Sequence, residues 1–312
     1  MTWDNQTFNS DFILLGIFNY SPTHIFLFSL VLAIFTVAFM GNTAMILLIY
    51  LDTQLHTPMY FFLSQLSLMD LMLICNTVPK MAFNIYLSGS NSISVVECAT
   101  QIFLYTSLLG CECFLWAVMA YDCYIAICYP LRYPNLMSPK ICGLMAASSW
   151  ILGSTDCIID AVATFFFYCG SREIDHFFCG FPSLLIISCN DTSTFEEVLF
   201  YCCIIMIVFP VVIIIASYTR VIVAVIHIAS GEGHRKAFAT CSSHLMVVGM
   251  YYGTALFIYL WPTSDRSPTQ EKMVCVFYTI LTPMMNPLIY SIHNKEVARA
   301  AMKVLEKGKS GQ

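Results

Sequence analysis

A chain of 312 residues that is 58% hydrophobic and only 11% charged, with a mean hydropathy of +0.74, carries more apolar surface than a soluble domain can hide. A bilayer is the environment that accepts it. The formal charge of −5 and the lack of any basic stripe give nucleic-acid binding no support.

No charged leader with a small-residue cleavage site precedes the first apolar run, so the first span is expected to act as its own insertion signal. Seven segments reach the roughly 20 apolar residues that a helix needs to cross a bilayer. They are 25–50, 58–86, 98–129, 141–166, 197–228, 237–261 and 271–292. The expected fold is therefore an all-α membrane protein, a seven-transmembrane helix bundle over 25–292. It lies between an extracellular N-terminal segment (1–24) and a cytoplasmic tail (293–312). In that tail NKEVARAAMKVLEK forms a short amphipathic helix along the membrane lipid.

Orientation follows from Lys and Arg. With the N-terminus outside, Arg132, Lys140, Arg220, Arg235, Lys236, Lys295, Arg299, Lys303, Lys307 and Lys309 fall inside. Lys80, Arg172, Arg266 and Lys272 fall outside, a ten-to-four bias toward the inner side. The sequons at Asn5 and Asn190 then lie outside, where glycosylation takes place. Asn19-Tyr20-Ser21 is a weaker one, because Pro22 follows it.

Of the 15 cysteines, Cys98, Cys169, Cys179 and Cys189 lie on the oxidising side. Four cysteines allow three pairings, and spacing does not choose among them. The others lie mostly within apolar spans and read as small buried hydrophobes. Cys202, Cys203 and Met206 bring soft sulfur together, with positions 202 and 206 on one helix face. That suits Cu(I), but ordinary packing is the favoured reading.

Acids inside spans must face the bundle interior. Asp70 sits in the second span and Glu112 in the third, ten residues and so about 15 Å above Asp122. Asp70, Glu112, Asn42 and Asn286 together would make an oxygen cluster suited to Na⁺ or to shared protons. Asp156 and Asp160, four apart on one face of the fourth span, line a cavity or lid or face headgroups and water. No metal-ligand spacing, nucleophile elbow or phosphate loop accompanies them, so no enzyme is expected. No repeat symmetry or trail of paired charges marks a transporter.

Four motifs in order carry a family resemblance: LHTPMY at 55–60, MAYDCYIAICYPLRY at 119–133, KAFATCSSHL at 236–245 and TPMMNPLIYS at 282–291. With their spacing, the chain resembles the olfactory branch of the rhodopsin-like G-protein-coupled receptors. One position departs from the pattern: the Arg expected after Asp122 is Cys123.

The resemblance implies disulfides Cys98–Cys179 and Cys169–Cys189, and a sodium site at Asn42, Asp70, Glu112 and Asn286. It implies a cytoplasmic switch of Asp122, position 123, Tyr124, Tyr218 and Tyr290. For the ligand cavity it implies Tyr105, Thr106, Leu109, Cys202, Met206, Tyr252, Leu256, Tyr259, Val276 and Thr279. That set holds no acid, which favours neutral, volatile, mostly apolar odorants. The implied output is a stimulatory olfactory-type G protein that raises cAMP, at the plasma membrane of olfactory cilia. Cys123 has neither the charge nor the reach of a guanidinium. The same fold with weak or lost coupling is therefore the alternative.

Overall fold

The computed structural model describes residues 11–16, 23–83, 91–155, 157–162, 168, 172–189, 191–227, 244–257, 267–293 and 295–310. Helices α1 (Thr23–Leu51), α2 (Pro58–Phe83) and α3 (Val95–Cys128) follow the first three predicted spans closely. Pro58 opens α2 in its first turn, where its missing N–H costs nothing. Ser94 and Glu97 form a reciprocal capping box at the start of α3: the Glu97 N–H donates to Ser94 Oγ at 3.2 Å, and the Ser94 N–H donates to Glu97 Oε2 at 3.0 Å.

A short turn of helix, α4 (Tyr133–Leu136), leads to α5 (Pro139–Gly153) and α6 (Cys157–Val162). The fourth predicted span, 141–166, is thus corrected: it is broken after Gly153, and 163–166 lie outside the described residues. The cause is close packing. A Cβ on Gly110 would lie 2.9 Å from the Cα of Gly153, and one on Gly153 would strike the backbone of Gly110 and Cys111. The helices touch backbone to backbone there. Ser154 ends α5 with its hydroxyl 2.7 Å from that of Ser107.

Then come α7 (Phe181–Ile186), α8 (Ser193–His227) and α9 (His244–Phe257), the last being the described part of the sixth predicted span. The seventh span runs through α10 (Pro268–Val276), a π-turn (Phe277–Leu281) and α11 (Thr282–His293). Pro287 has no N–H for the carbonyl four residues back, so the Pro283 oxygen is left open. The Asn42 side-chain amide donates to it at 2.8 Å. Gly41 permits the approach, since a Cβ there would meet Pro287 Cγ at 3.1 Å. Finally α12 (Lys295–Ser310) tucks Val297 and Ala300 against the bundle. Glu296 accepts from Tyr60 at 2.9 Å, and Lys303 pairs with Asp52 at 3.4 Å.

Five of these helical stretches are long and apolar enough to cross a membrane, and α9 is a shorter apolar one. Burial separates axis from rim: 72% of the α3 window is buried, against 22% for α1 and for α8. The third helix is therefore the axis of the bundle, and the apolar faces of α1 and α8 are left for lipid.

A three-stranded sheet, which the helical reading did not anticipate, closes one end. Strand β1 (Phe12–Leu14) lies between β2 (Ser92–Ile93), antiparallel, and β3 (Glu173–Ile174), parallel, with Phe12 opposite Ile93 and Leu14 opposite Ile174. Phe12, Leu14, Ile93, Ile174 and Leu184 bury themselves around Cys98 and Cys179 as a small second core.

Candidate functional site

Beneath this lid lies a cavity with about 50 Å³ of space open to the centre of a water molecule. Helix α3 supplies Thr106, Leu109, Gly110 and Cys113; α8 supplies Cys203, Met206 and Ile207; α9 supplies Ala255. The broken fourth span supplies Gly153 and Asp160, so the backbone contact that ends α5 forms part of the wall.

The lid is pinned from above. Cys98 and Cys179 form a disulfide. The Cys179 N–H donates to Gln101 Oε1 at 2.8 Å, while Gln101 and Asn76 exchange hydrogen bonds at 2.8 and 3.0 Å. Phe178 of the lid packs on Tyr105 with ring centres 4.9 Å apart. Lys272 of α10 pairs with Asp175 of the lid at 2.5 Å. Cys189 is also in a disulfide, and its expected partner Cys169 lies outside the described residues.

Below the cavity sits a buried polar layer. Asn286 Nδ2 donates to Asp70 Oδ2 at 2.9 Å, and the Tyr278 hydroxyl donates to Glu112 Oε2 at 3.1 Å. Asn42 donates to the Ala38 and Pro283 carbonyls. Each of the four expected residues keeps one oxygen that receives no hydrogen bond among the described residues: Asn42 Oδ1, Asp70 Oδ1, Glu112 Oε1 and Asn286 Oδ1. Hard cations are bound by such oxygens, so the donor set fits Na⁺. Among the described residues no group of three or more His, Cys, Asp or Glu could hold a metal.

At the end of α3 away from the lid, the Tyr133 hydroxyl donates to Asp122 Oδ1 at 2.9 Å. Burial and the nearby carboxylate both push the Tyr133 hydroxyl well above the usual phenol range, which keeps it a donor. Cys123 is buried beside them. Tyr124 and Tyr129 hydroxyls are 3.4 Å apart. Tyr218 of α8 is 2.7 Å from Nδ1 of His244, the first residue of α9, so a hydrogen bond joins the two helices. The Tyr290 hydroxyl is buried and makes no hydrogen bond among the described residues.

The olfactory receptor profile matches residues 30–308. Over 313 aligned residues the chain is 80% identical to olfactory receptor 2M5 from Homo sapiens, covering 100% of each chain. Olfactory receptor 2M3 from Homo sapiens is equally similar, again over 100% of each chain. Olfactory receptor 2V1 from Mus musculus is 54% identical, covering 99% of this chain and 98% of the relative.

The chain belongs to the olfactory receptor family.

Membership makes it a multi-pass membrane protein of the seven-helix G-protein-coupled class, a sensor of odorants and not an enzyme. In this olfactory receptor the expected cavity residues divide into two sets. Thr106, Leu109 and Met206 line the cavity. Tyr105 turns toward Phe178 and Tyr278 instead, and Tyr252 donates its hydroxyl to the Cys113 carbonyl at 3.0 Å. Cys203 rather than Cys202 faces the space, and Ala255 rather than Leu256, which is 44% exposed. Val276 packs against the core, and Thr279 is fully buried with its hydroxyl donating to Cys275. Tyr259, Asp156, Asn5, Asn190 and positions 236–243 of the sixth-helix motif lie outside the described residues.

Sequence reading missed three participants. His244 sits in plain view in KAFATCSSHL, but its role needs knowledge of which helix faces it. Tyr133 closes the motif at 119–133 and Tyr278 lies within the seventh span, but nothing in the sequence says which carboxylate each one meets. The set assembled from sequence holds no acid, whereas the cavity wall holds Asp160.

Proposed function

We propose that the cavity beneath the lid binds small volatile odorants, and that binding drives a stimulatory olfactory-type G protein to raise cAMP. The receptor would work at the plasma membrane of olfactory cilia with its N-terminus outside, as the ten-to-four placement of basic residues favours. The observation that carries the reading is the sharing of the wall between α3, α8 and α9, because α8 and α9 also meet at Tyr218 and His244. A ligand that fits the wall better in one helix arrangement shifts the equilibrium toward it, and the far end of the same helices moves.

Cys123 supports a second reading, a receptor that binds but couples weakly. Asp122 already has Tyr133 as a partner, and no guanidinium follows it to reach a G protein. The test is odorant-evoked cAMP in wild type and Cys123→Arg, matched for surface expression. The Arg variant is expected to signal about tenfold more strongly, the worth of one charge-assisted contact, with an unchanged ranking of odorants. A changed ranking would count against the separation of pocket from output.

The oxygen cluster of Asn42, Asp70, Glu112 and Asn286 is proposed as a Na⁺ site that favours the resting arrangement. Raising Na⁺ is expected to weaken odorant potency in wild type and to have no effect in Asp70→Asn. Equal sodium dependence in both would refute it.

A further inference from the structure

We propose that Asp160 is a specificity residue of this cavity, and that its carboxyl selects small ligands bearing an O–H or N–H donor, short alcohols or amines, over ethers and hydrocarbons of the same size. The inference rests on reading the cavity as the odorant site.

Three observations lead to it. The carboxyl is placed in the wall by the fold: α5 stops where Gly153 meets Gly110, Cys157 donates to the Ser154 carbonyl at 2.8 Å, and α6 begins there, bringing Asp160 to the cavity at 7% exposure. Among the other polar side chains of the wall, Thr106 and Cys113 are engaged elsewhere, Met206 only accepts, and Cys203 offers at most a weak thiol donor. Thr106 spends its hydrogen on the Ile102 carbonyl at 2.9 Å and turns lone pairs to the space; Cys113 is engaged with the Tyr251 hydroxyl at 3.2 Å; Met206 offers a thioether. The space is also small. A single water needs roughly 10–15 Å³ on the same measure, so about 50 Å³ admits a ligand of a few such groups.

A carboxyl keeps an accepting oxygen whether it is protonated or ionised. The ionised carboxylate only accepts, so an acceptor-only ligand such as an ether would bring lone pairs against lone pairs, stripping water from it and giving nothing back. A protonated carboxyl would donate to the ether oxygen, so the selection against ethers belongs to the ionised form. An alcohol donates one hydrogen bond to Asp160 and rests its carbon chain on Leu109, Ile207 and Ala255. An amine donates too, with its charge added if the carboxyl is ionised.

The experiment compares primary alcohols, primary amines, methyl ethers and alkanes of matched size (about four to six carbons, sized to the cavity) by evoked cAMP. It is run on receptors with wild-type and Cys123→Arg inner ends, matched for surface expression. Alcohols or amines are expected to act at lower concentration than ethers. Asp160→Leu, which keeps the volume, should raise the effective concentration of donor-bearing ligands by roughly 10- to 100-fold and leave ethers unchanged or improved. Asp160→Asn keeps an acceptor without charge and separates the two sources: amines lost with alcohols retained identifies a cationic ligand, and both retained identifies a neutral one.

Equal loss of ethers and alcohols in Asp160→Leu overturns the proposal. So does no change in any class, or silence toward every donor-bearing ligand in both backgrounds. Met206→Trp, which fills the cavity, isolates the underlying reading. If it leaves responses intact, the cavity is not the odorant site. If it abolishes them while Asp160→Leu does not discriminate, Asp160 alone was misassigned.

Discussion

His176 lies in the lid at 4% exposure, its ring stacked on Phe177 at 4.7 Å and set edge-on to Phe178 at 4.6 Å. Burial pushes its imidazole from the ordinary 6.5 down to about 3, and the cation of Lys272 adds to the effect against the opposing Asp175. The closed lid therefore holds a neutral ring. An opened lid exposes a ring that takes a proton below pH 6.5, so closure loses stability as pH falls from about 6.5 toward 3 and is unaffected above that window. The expected loss is about 1.4 kcal/mol per pH unit within the window. Hydrogen exchange of lid amides, measured from neutral pH downward, should show it in wild type. His176→Phe, which keeps a flat ring without titrating, should remove that dependence, and an undiminished slope in the variant would assign it to other groups.

At the scale of elements, the contact between α3 and α5 depends on two residues having no side chain. Gly153→Ala places a methyl into the backbone of Gly110 and Cys111, and such overpacking costs about 1–3 kcal/mol. Gly143 in the same helix has nothing within 4 Å of an added Cβ. Gly143→Ala is therefore expected to leave thermal stability unchanged or slightly raised. If the two variants melted alike, close approach would not be what ends α5. This junction also shows where sequence reading stops. Helix spans were legible because a run of apolar residues at bilayer length has few other solutions. The break after Gly153 was not, because Gly153 and Ser154 differ from other tolerated small residues only through what α3 presents to them. The π-turn before α11 was hidden for the same reason. Pro283 and Pro287 stand in the motif at 282–291, but the partner of the freed carbonyl, Asn42, lies 241 residues away in sequence.

Over the whole molecule, the ends were the hardest part to read. The bundle follows from apolar length and the motifs, and four residues that the resemblance singled out form side-chain bonds: Asp70 with Asn286, Asp122 with Tyr133 and Tyr218 with His244. The wall of the cavity was read less well. A one-residue error in helix phase exchanges Cys202 for Cys203 and Leu256 for Ala255, and sequence periodicity in helices apolar on every side does not resolve phase that finely. The lid sheet was invisible, since strands of two and three residues carry no detectable alternation.

That sheet imposes an order of events. Its middle strand, Phe12–Leu14, leaves a ribosome before either neighbour, since these are encoded around positions 92 and 173. Synthesis runs from the N-terminus at about 5–20 residues per second, so the strand waits on the order of ten seconds for its second partner. Until then Phe12 and Leu14 have no core to enter. Closing the roof over the cavity is thus a late step in maturation, dependent on the most sequence-distant pairings of the lid. A label attached ahead of residue 11 would hang from the roof itself and report on its completion.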